Sequence, residues 1–203
     1  MESSDWLVTE DGQCLACNVP KEEEFPSRPY RLYRFLTDVE NILWHIPEDS
    51  DRLEAIRPLV RRLLVSSDWL QGEYINPDPE TGWSVLMLYD EPDFPLTVQM
   101  VAWLPGSKSP IHNHGTWGVV ALVSGEEKNN FWRRSPAPEL PDRIEPAGDR
   151  ILVPGDIISF LPDAIHSVEP LGDEPTITFN LYGETNYDRR FEFDTTNNTA
   201  QVF

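Results

Sequence analysis

The sequence has few of the features that direct a protein to nucleic acid or to a membrane. Only 16 residues are Lys or Arg against 35 Asp or Glu, and the formal net charge is −19. An acidic surface of this strength repels phosphate backbones and anionic lipid headgroups, so we expect neither a nucleic acid nor a membrane as partner. No apolar run approaches the ~20 residues of a membrane span, and no signal-peptide pattern is present. These absences predict a cytoplasmic protein, and the oligomeric state is left open.

Cysteine is equally scarce, which excludes a disulfide framework. The only two cysteines, Cys14 and Cys17, form a lone CxxC pair in a polar segment. A zinc knuckle needs two further ligands at similar spacing, and none follows nearby. Two interpretations stay open for this pair, an incidental reduced pair and a redox or metal role.

Proline, in contrast, is abundant, and the 19 prolines fall between short apolar runs. The runs are rich in β-branched and aromatic residues and are bounded by turn formers, which favours an all-β fold, a sandwich or a barrel. The predicted strands are Trp83–Asp90, Leu96–Leu104, Gly118–Gly125, Lys128–Arg134, Asp149–Pro162, Thr176–Gly183 and Arg189–Asp194.

The first part of the chain has a different pattern. Residues 1–27 predict an irregular arm, and apolar spacings of three and four predict helices over Tyr30–Ile46 and Ser50–Ser66. Pro58 inside the second helix is able to kink or split it. We therefore predict a single domain over residues 1–203, in which residues 1–80 form an arm and helices packed on a barrel of residues 81–203.

Two of the four histidines stand one residue apart, in the stretch SPIHNHGTWG (Ser109–Gly118). Side chains of a strand alternate between its faces, so His112 and His114 point the same way if this segment is extended. Two imidazoles on one face are able to bind one metal ion. His45, in the first predicted helix, is expected to be a solvated or capping residue.

The glycines around these histidines carry a family resemblance. The spacings read Gly106-x5-His112-x-His114-x10-Gly125 and Gly155-x10-His166. They resemble the two signature motifs of the cupin superfamily, over roughly residues 105–170, specifically in the first motif and more loosely in the second. The resemblance implies a cupin double-stranded β-helix barrel with an N-terminal helical extension, and a metal held by His112, His114 and His166.

One departure from the usual cupin motif indicates a branch of the superfamily. Gly118 stands where cupins usually carry a Glu ligand, so the ligands would be three neutral histidines, with space left beside the metal. In this respect the sequence resembles the thiol dioxygenases, such as cysteine dioxygenase and 3-mercaptopropionate dioxygenase. The resemblance implies Fe(II), O₂ and a small thiol substrate that is oxidised to its sulfinate. Imidazole also suits Zn, Ni and other metals, and Zn, Ni or Mn is an alternative occupant.

Two other functions stay open beside this one. The first is a metal-dependent cupin with non-oxidative chemistry, such as an isomerase or a lyase. The second is a metal-stabilised cupin that binds or senses a ligand. Metal analysis together with O₂ uptake on a panel of thiols would separate the three.

The strand TITFNLYG supplies further candidate residues. Alternation places Thr178, Asn180 and Tyr182 on one face, which is able to line a cavity. The resemblance to cysteine dioxygenase implies that the Tyr182 hydroxyl approaches the iron and acts in catalysis, although a structural tyrosine is the alternative. Thr178 matches a family Ser, and Asn180 stands in place of a family His, so the titratable member of that strand is missing.

Substrate recognition has weaker signals. Family members of known substrate commonly hold a carboxylate with an Arg on a strand before the first motif, and residues 83–106 contain no Arg. Tyr89 and Gln99 are the hydrogen-bonding candidates of that stretch, and Arg133 and Arg134 lie on a later strand. Trp117 and Trp103 are candidates for the pocket wall or for the core. We predict substrate contacts from Asn180, Thr178, Trp117 and Gln99.

Overall fold

The computed structural model of the chain describes residues 3–19, 29–67, 70, 75–92 and 94–203. These residues form two α-helices, α1 (Leu32–His45) and α2 (Asp49–Ser66). The strands among them are β1 (Asp5–Val8), β2 (Cys14–Cys17), β3 (Trp83–Asp90), β4 (Leu96–Trp103), β5 (Ile111–His112), β6 (Gly118–Ser124), β7 (Glu126–Arg134), β8 (Ile144–Leu152), β9 (Ile157–Phe160), β10 (Ile165–Leu171), β11 (Thr176–Gly183), β12 (Phe191–Asp194) and β13 (Thr199–Val202). Neither helix has the length and apolar character required to cross a membrane.

The strands form two sheets. The first has the order β2-β1-β9-β6-β11-β4-β3, and the second has the order β13-β12-β5-β10-β7-β8. The eight consecutive strands β4 to β11 alternate between the sheets, except for the hairpin of β7 and β8 within the second sheet. This is the strand order of a jelly roll, the double-stranded β-helix. No ladder among the described strands joins one sheet to the other. The described strands of the predicted double-stranded β-helix barrel therefore form a sandwich of two sheets and not a closed barrel.

The helices cover the outer face of the first sheet. Apolar residues recur at helical spacing on α2, and Phe35 of α1 meets Phe179 of β11 edge to face, with ring centroids 6.1 Å apart. Because β11 alternates, Phe179 and Leu181 face this core while their neighbours face the space between the sheets. The outer face of the sheet thus packs against helices, and its inner face is left for polar residues. Pro58 lies inside an α2 that is not split.

The N-terminal segment is not an irregular arm, and that prediction is wrong for the residues described. Strand β1 pairs in parallel with β9, and β2 pairs antiparallel with β1. Asp5 of β1 forms a buried ion pair with Arg61 of α2. Residues 20–27 of the predicted arm lie outside the described residues. A short polar segment gave no strand signal because its pairing partner lies about 150 residues further along the chain.

The predicted strand Asp149–Pro162 divides in two. Strand β8 ends at Leu152 and β9 begins at Ile157, with a turn between them. Gly155 adopts φ 96° in this turn, a conformation that side chains other than glycine rarely adopt. The Asp156 carboxylate accepts hydrogen bonds from the backbone N–H groups of Val153 and Ser4, which fixes the turn against the N-terminal segment.

Candidate metal site

The three motif histidines meet between the two sheets. His112 ends β5 and lies directly opposite His166 of β10 in an antiparallel register. Directly opposed residues project to the same face of a sheet, so the two rings are neighbours, with centroids 4.7 Å apart. His114 follows two residues after His112, and its ring centroid lies 5.0 Å from each of the other two.

The ring nitrogens converge as metal ligands would. The ligand atoms of the three histidines all lie within 4.8 Å of one another. The Nε2 atoms of His114 and His166 are 2.9 Å apart. Two nitrogens that bind one ion at about 2.1 Å and at a right angle are about 3 Å apart. The three side chains therefore fit a single metal ion.

The opposite ring nitrogens are held by oxygen acceptors. His112 Nδ1 lies 3.0 Å from the backbone oxygen of Pro110, and His166 Nδ1 lies 2.9 Å from Asn129 Oδ1. Because these oxygens only accept, each Nδ1 is assigned the proton and each Nε2 keeps the lone pair that binds a metal. The Asn129 amide is itself oriented, since its Nδ2 donates to Glu127 Oε1 at 2.8 Å.

The protonation state of the histidines also suits metal binding. Burial lowers the pKa of His112 to about 4, and it lowers the pKa values of His114 and His166 as well. The neighbouring imidazole of His112 lowers both of those pKa values further. The rings are neutral near pH 7, and the neutral ring is the form that binds a metal.

Gly118 does not leave open space beside the histidines, which corrects our expectation. A Cβ at this position would lie 2.8 Å from the ring of Tyr182. That ring stacks on His114, with centroids 4.8 Å apart and planes 28° apart. The aromatic ring of Tyr182 occupies the room next to Gly118, so a side chain of any size there would displace it. The described residues place no carboxylate in the histidine group.

A cavity of about 730 Å³ opens onto the histidines between the sheets. Of the residues predicted to contact substrate, the wall includes Gln99, Thr178 and Asn180, together with Tyr182. Trp117 is not in this wall: it is buried at 4% exposure in the core beneath the helices. Trp117 therefore lies in the core, the second of the two places expected for it, and not in the wall of this cavity. Its position in the motif indicates proximity to the metal, but its side chain points to the opposite side of the sheet.

The polar side chains of β11 form a chain of hydrogen bonds along the cavity. The Tyr182 hydroxyl donates to Asn180 Oδ1 at 3.1 Å, and Asn180 Nδ2 donates to Thr178 Oγ1 at 2.9 Å. Burial raises the pKa of Tyr182 well above its usual value, so the hydroxyl keeps its proton. The predicted alternation of this strand is confirmed by the lining of the cavity.

Other candidates for substrate recognition lie elsewhere. Arg133 pairs with Glu145 on the exposed face, and Arg134 packs over Phe193. Tyr89 donates its hydroxyl to a neighbouring glutamate and packs against Phe94. None of these three predicted candidates is part of the cavity wall, whereas Trp103 is.

The cysteines and the remaining histidine lie outside the cavity wall. Cys14 and Cys17 are free thiols in β2, an edge strand of the first sheet, and burial raises the pKa of both. His45 lies at the end of α1, where its Nδ1 is 2.7 Å from the backbone oxygen of Asn41.

The cavity includes charged residues that our sequence reasoning missed. Glu127 and Asn129 lie two residues apart on β7, so they share one face of the strand, and they are 2% and 1% exposed. This period-two spacing was a signal available in the sequence. Arg190 gave no such signal because it lies in a turn before β12. Its side chain reaches the cavity wall, packs over Phe203, and takes part in no ion pair among the described residues.

No known protein-family model matches the sequence. The structure is similar to an oxalate oxidase in complex with the substrate analogue glycolate, with 12% identity, 57% of each chain covered and a TM-score of 0.41. It is similar to a cupin superfamily protein of Desulfitobacterium hafniense, with 11% identity, 57% of this chain and 87% of that chain covered, and a TM-score of 0.43. It is also similar to a protein with a double-stranded β-helix domain from Klebsiella pneumoniae, with 19% identity, 57% and 83% covered, and a TM-score of 0.44. The chain spans less than two thirds of the oxalate oxidase that it matches.

The strand order defines the fold, and the histidines define a candidate site within it. The order of strands β4 to β11 is that of an eight-stranded jelly roll, the double-stranded β-helix, with two helices on its outer face. Between its sheets lies a cluster of His112, His114 and His166 that could hold a metal ion.

Proposed function

We propose that this protein is an iron-dependent dioxygenase of the thiol dioxygenase branch, which oxidises a thiol to its sulfinate with O₂. The observation that carries the proposal is the ligand set: three neutral imidazoles converge in a cavity, and no carboxylate of the described residues joins them. A neutral set leaves the whole charge of a divalent ion to attract a thiolate, whereas a carboxylate ligand would cancel part of that attraction.

The overall reaction needs no further reductant. A thiol R–SH and O₂ combine to R–SO₂H, in which both oxygen atoms are bonded to sulfur. The sulfur loses four electrons, and O₂ gains the same four. Bound Fe(II) would supply the redox chemistry that activates O₂ beside the sulfur.

The residues of β11 support a role in positioning the reactants. The Tyr182 hydroxyl is protonated and donates to Asn180, and rotation about its C–O bond redirects the proton to a ligand in the cavity. The amide of Asn180, which accepts the hydrogen bond from Tyr182, is held in place because its Nδ2 donates a hydrogen bond to Thr178 Oγ1. A donor positioned in this way stabilises charge that develops on oxygen during the reaction.

Arg190 offers a cation at the same end of the cavity. Its positive charge contributes to the low pKa of both His112 and His114, which places it near the site. The buried Nε of Arg190 has no hydrogen-bond partner, so this side chain is free to attract an anionic group of the ligand. It stands in for the strand arginine that the family pattern leads one to expect and that this sequence lacks.

The test is O₂ uptake by the Fe(II)-loaded protein. The panel contains cysteine, 3-mercaptopropionate, cysteamine, mercaptosuccinate and phenylmethanethiol, and mass spectrometry checks for a product heavier by two oxygen atoms. We expect uptake and sulfinate with at least one thiol, and neither with His112→Ala, which lacks one ligand.

Other results would point to the two alternative functions. A redox-inert metal in the protein as isolated, with no uptake after iron loading, would support non-oxidative chemistry. Bound iron that oxidises no thiol of the panel, while ligands still bind, would support a binding or sensory protein. Either result would refute the proposal.

A further inference from the structure

The cavity extends well beyond the histidines, to the edge of the first sheet. The inner face of β3 contributes Trp83, Val85 and Met87 to its wall, and β4 contributes Trp103. We call these four residues the apolar shelf. Trp83, Val85 and Met87 are 43%, 40% and 47% exposed, although they are large apolar side chains. All three face the cavity.

The far end of the shelf is an aromatic platform. Trp83 and Trp103 are directly paired across β3 and β4, and their rings stack with centroids 5.8 Å apart and planes 26° apart. Paired large rings hold each other in position, so the platform is formed before a ligand arrives. Indole faces bind aromatic and apolar groups well and lose little conformational freedom in doing so.

The cavity is too large to be filled by a small thiol. Strand β3 is two positions away from β11 in the sheet, and strands are about 4.8 Å apart, so Met87, in register with Gln99 and Asn180, lies roughly 10 Å across the sheet from β11. The paired Trp83 and Trp103 are in register with Thr176, so the aromatic platform lies roughly 20 Å along the strand direction from Tyr182. The cavity volume of about 730 Å³ lies in the range of sites that enclose ligands of drug size, roughly 300–1,000 Å³. A thiol the size of cysteine would leave the shelf in contact with water.

We propose that the substrate is a thiol with an extended apolar or aromatic body, whose sulfur lies at the histidines and whose body covers the apolar shelf. The inference rests on the proposed function for the sulfur end, and on the geometry of β3 and β4 for the body. The shelf is continuous with the histidine site in one concave cavity, which favours a part of the same ligand over a separate partner as its occupant.

The test is calorimetric titration of the protein loaded with Zn(II), which is redox-inert and allows binding without turnover. The probes are ethanethiol, 3-phenylpropanethiol, 6-phenylhexanethiol and 10-phenyldecanethiol, of which the shortest phenyl thiol reaches Met87 and only the longest reaches the aromatic platform. Burial of a phenyl group strengthens binding roughly 10- to 100-fold, and each buried methylene strengthens it about fourfold. We expect the phenyl thiols to bind tighter than ethanethiol in this proportion.

Variants separate the shelf from the sulfur site. Trp83→Ala should weaken the binding of the longest phenyl thiol roughly 10-fold or more, and leave the binding of ethanethiol and 3-phenylpropanethiol unchanged. Met87→Ala, a milder change at an exposed position, should weaken 3-phenylpropanethiol severalfold. Trp44→Ala is the matched control, because Trp44 is 79% exposed and lies outside this cavity.

Equal affinity for all four thiols, or an equal effect of Trp44→Ala, would overturn the inference. A dimer that Trp83→Ala dissociates, with no change in thiol binding, would assign the shelf to an interface between two copies instead. The metal-free protein provides a test of the shelf that does not depend on the metal. If it binds 3-phenylpropanol and the Trp83→Ala variant does not, the shelf is confirmed as a binding surface. If the phenyl groups bind to the apolar shelf but the Fe(II)-loaded protein takes up no O₂, the proposed function would be refuted and the inference about the shelf would stand.

Discussion

Replacement of the buried Glu127 by Gln should stabilise the protein in alkaline solution. Glu127 lines the cavity and is 2% exposed. Burial raises the pKa of its carboxyl from 4.5 to about 7, and the hydrogen bond from Asn129 offsets only part of that rise. The substitution keeps the size and an oxygen acceptor for Asn129, and it removes the charge.

The pH window follows from the direction of this shift. Because the folded protein binds the proton of Glu127 more tightly than the unfolded chain does, the associated stability is complete below pH 4.5 and is lost as pH rises through 7. Each pKa unit corresponds to about 1.4 kcal/mol, so the loss is on the order of 3 kcal/mol. Gln does not titrate, so Glu127→Gln should gain about this much relative to wild type between pH 5 and pH 8.5.

The assay is urea denaturation of the metal-free protein at pH 5, 7 and 8.5, with EDTA present. The low pKa values of the three histidines reduce stability below about pH 6.5, but they do so equally in both proteins and cancel in the difference. Glu126→Gln, an exposed neighbour on the same strand, is the control and should follow wild type. If the free energy of unfolding changes with pH in the same way for wild type and Glu127→Gln, the raised pKa of Glu127 would be refuted.

Three further predictions concern the histidine site. Asn129→Ala should weaken metal binding about 10- to 100-fold in a calorimetric titration, because His166 loses its acceptor, and Asn130→Ala, which points to the other face, should leave it unchanged. Gly118→Ala should lower the free energy of unfolding by about 1–3 kcal/mol in chemical denaturation, because its Cβ would lie 2.8 Å from the ring of Tyr182; an unchanged midpoint would contradict this packing. Tyr182→Phe should slow O₂ uptake per bound iron about 10²–10⁴-fold with unchanged metal content, and a rate within about twofold of wild type would make this tyrosine structural.

The features that local pattern could predict are those that repeat at short range. Alternation along β11 correctly placed Thr178, Asn180 and Tyr182 on the cavity side, because the faces of a strand are set by its own backbone. Local pattern did not decide between the cavity wall and the core for Trp117. That residue follows a turn rather than continuing a strand, so its direction depends on how the chain enters β6.

By itself, the sequence indicated the strand-rich part of the chain, the two helices, and the shared face of His112 and His114, because each of these follows from residue periodicity within one segment. The resemblance to the cupin motifs added His166 to the same site. Only the tertiary structure decided that Tyr182 fills the room beside Gly118 and that β1 joins a sheet through β9. It also brought Arg190 to the cavity and turned the apolar face of β3 toward the histidines. These contacts join residues that are distant in the chain, and their geometry is set by sheet packing and not by any local pattern.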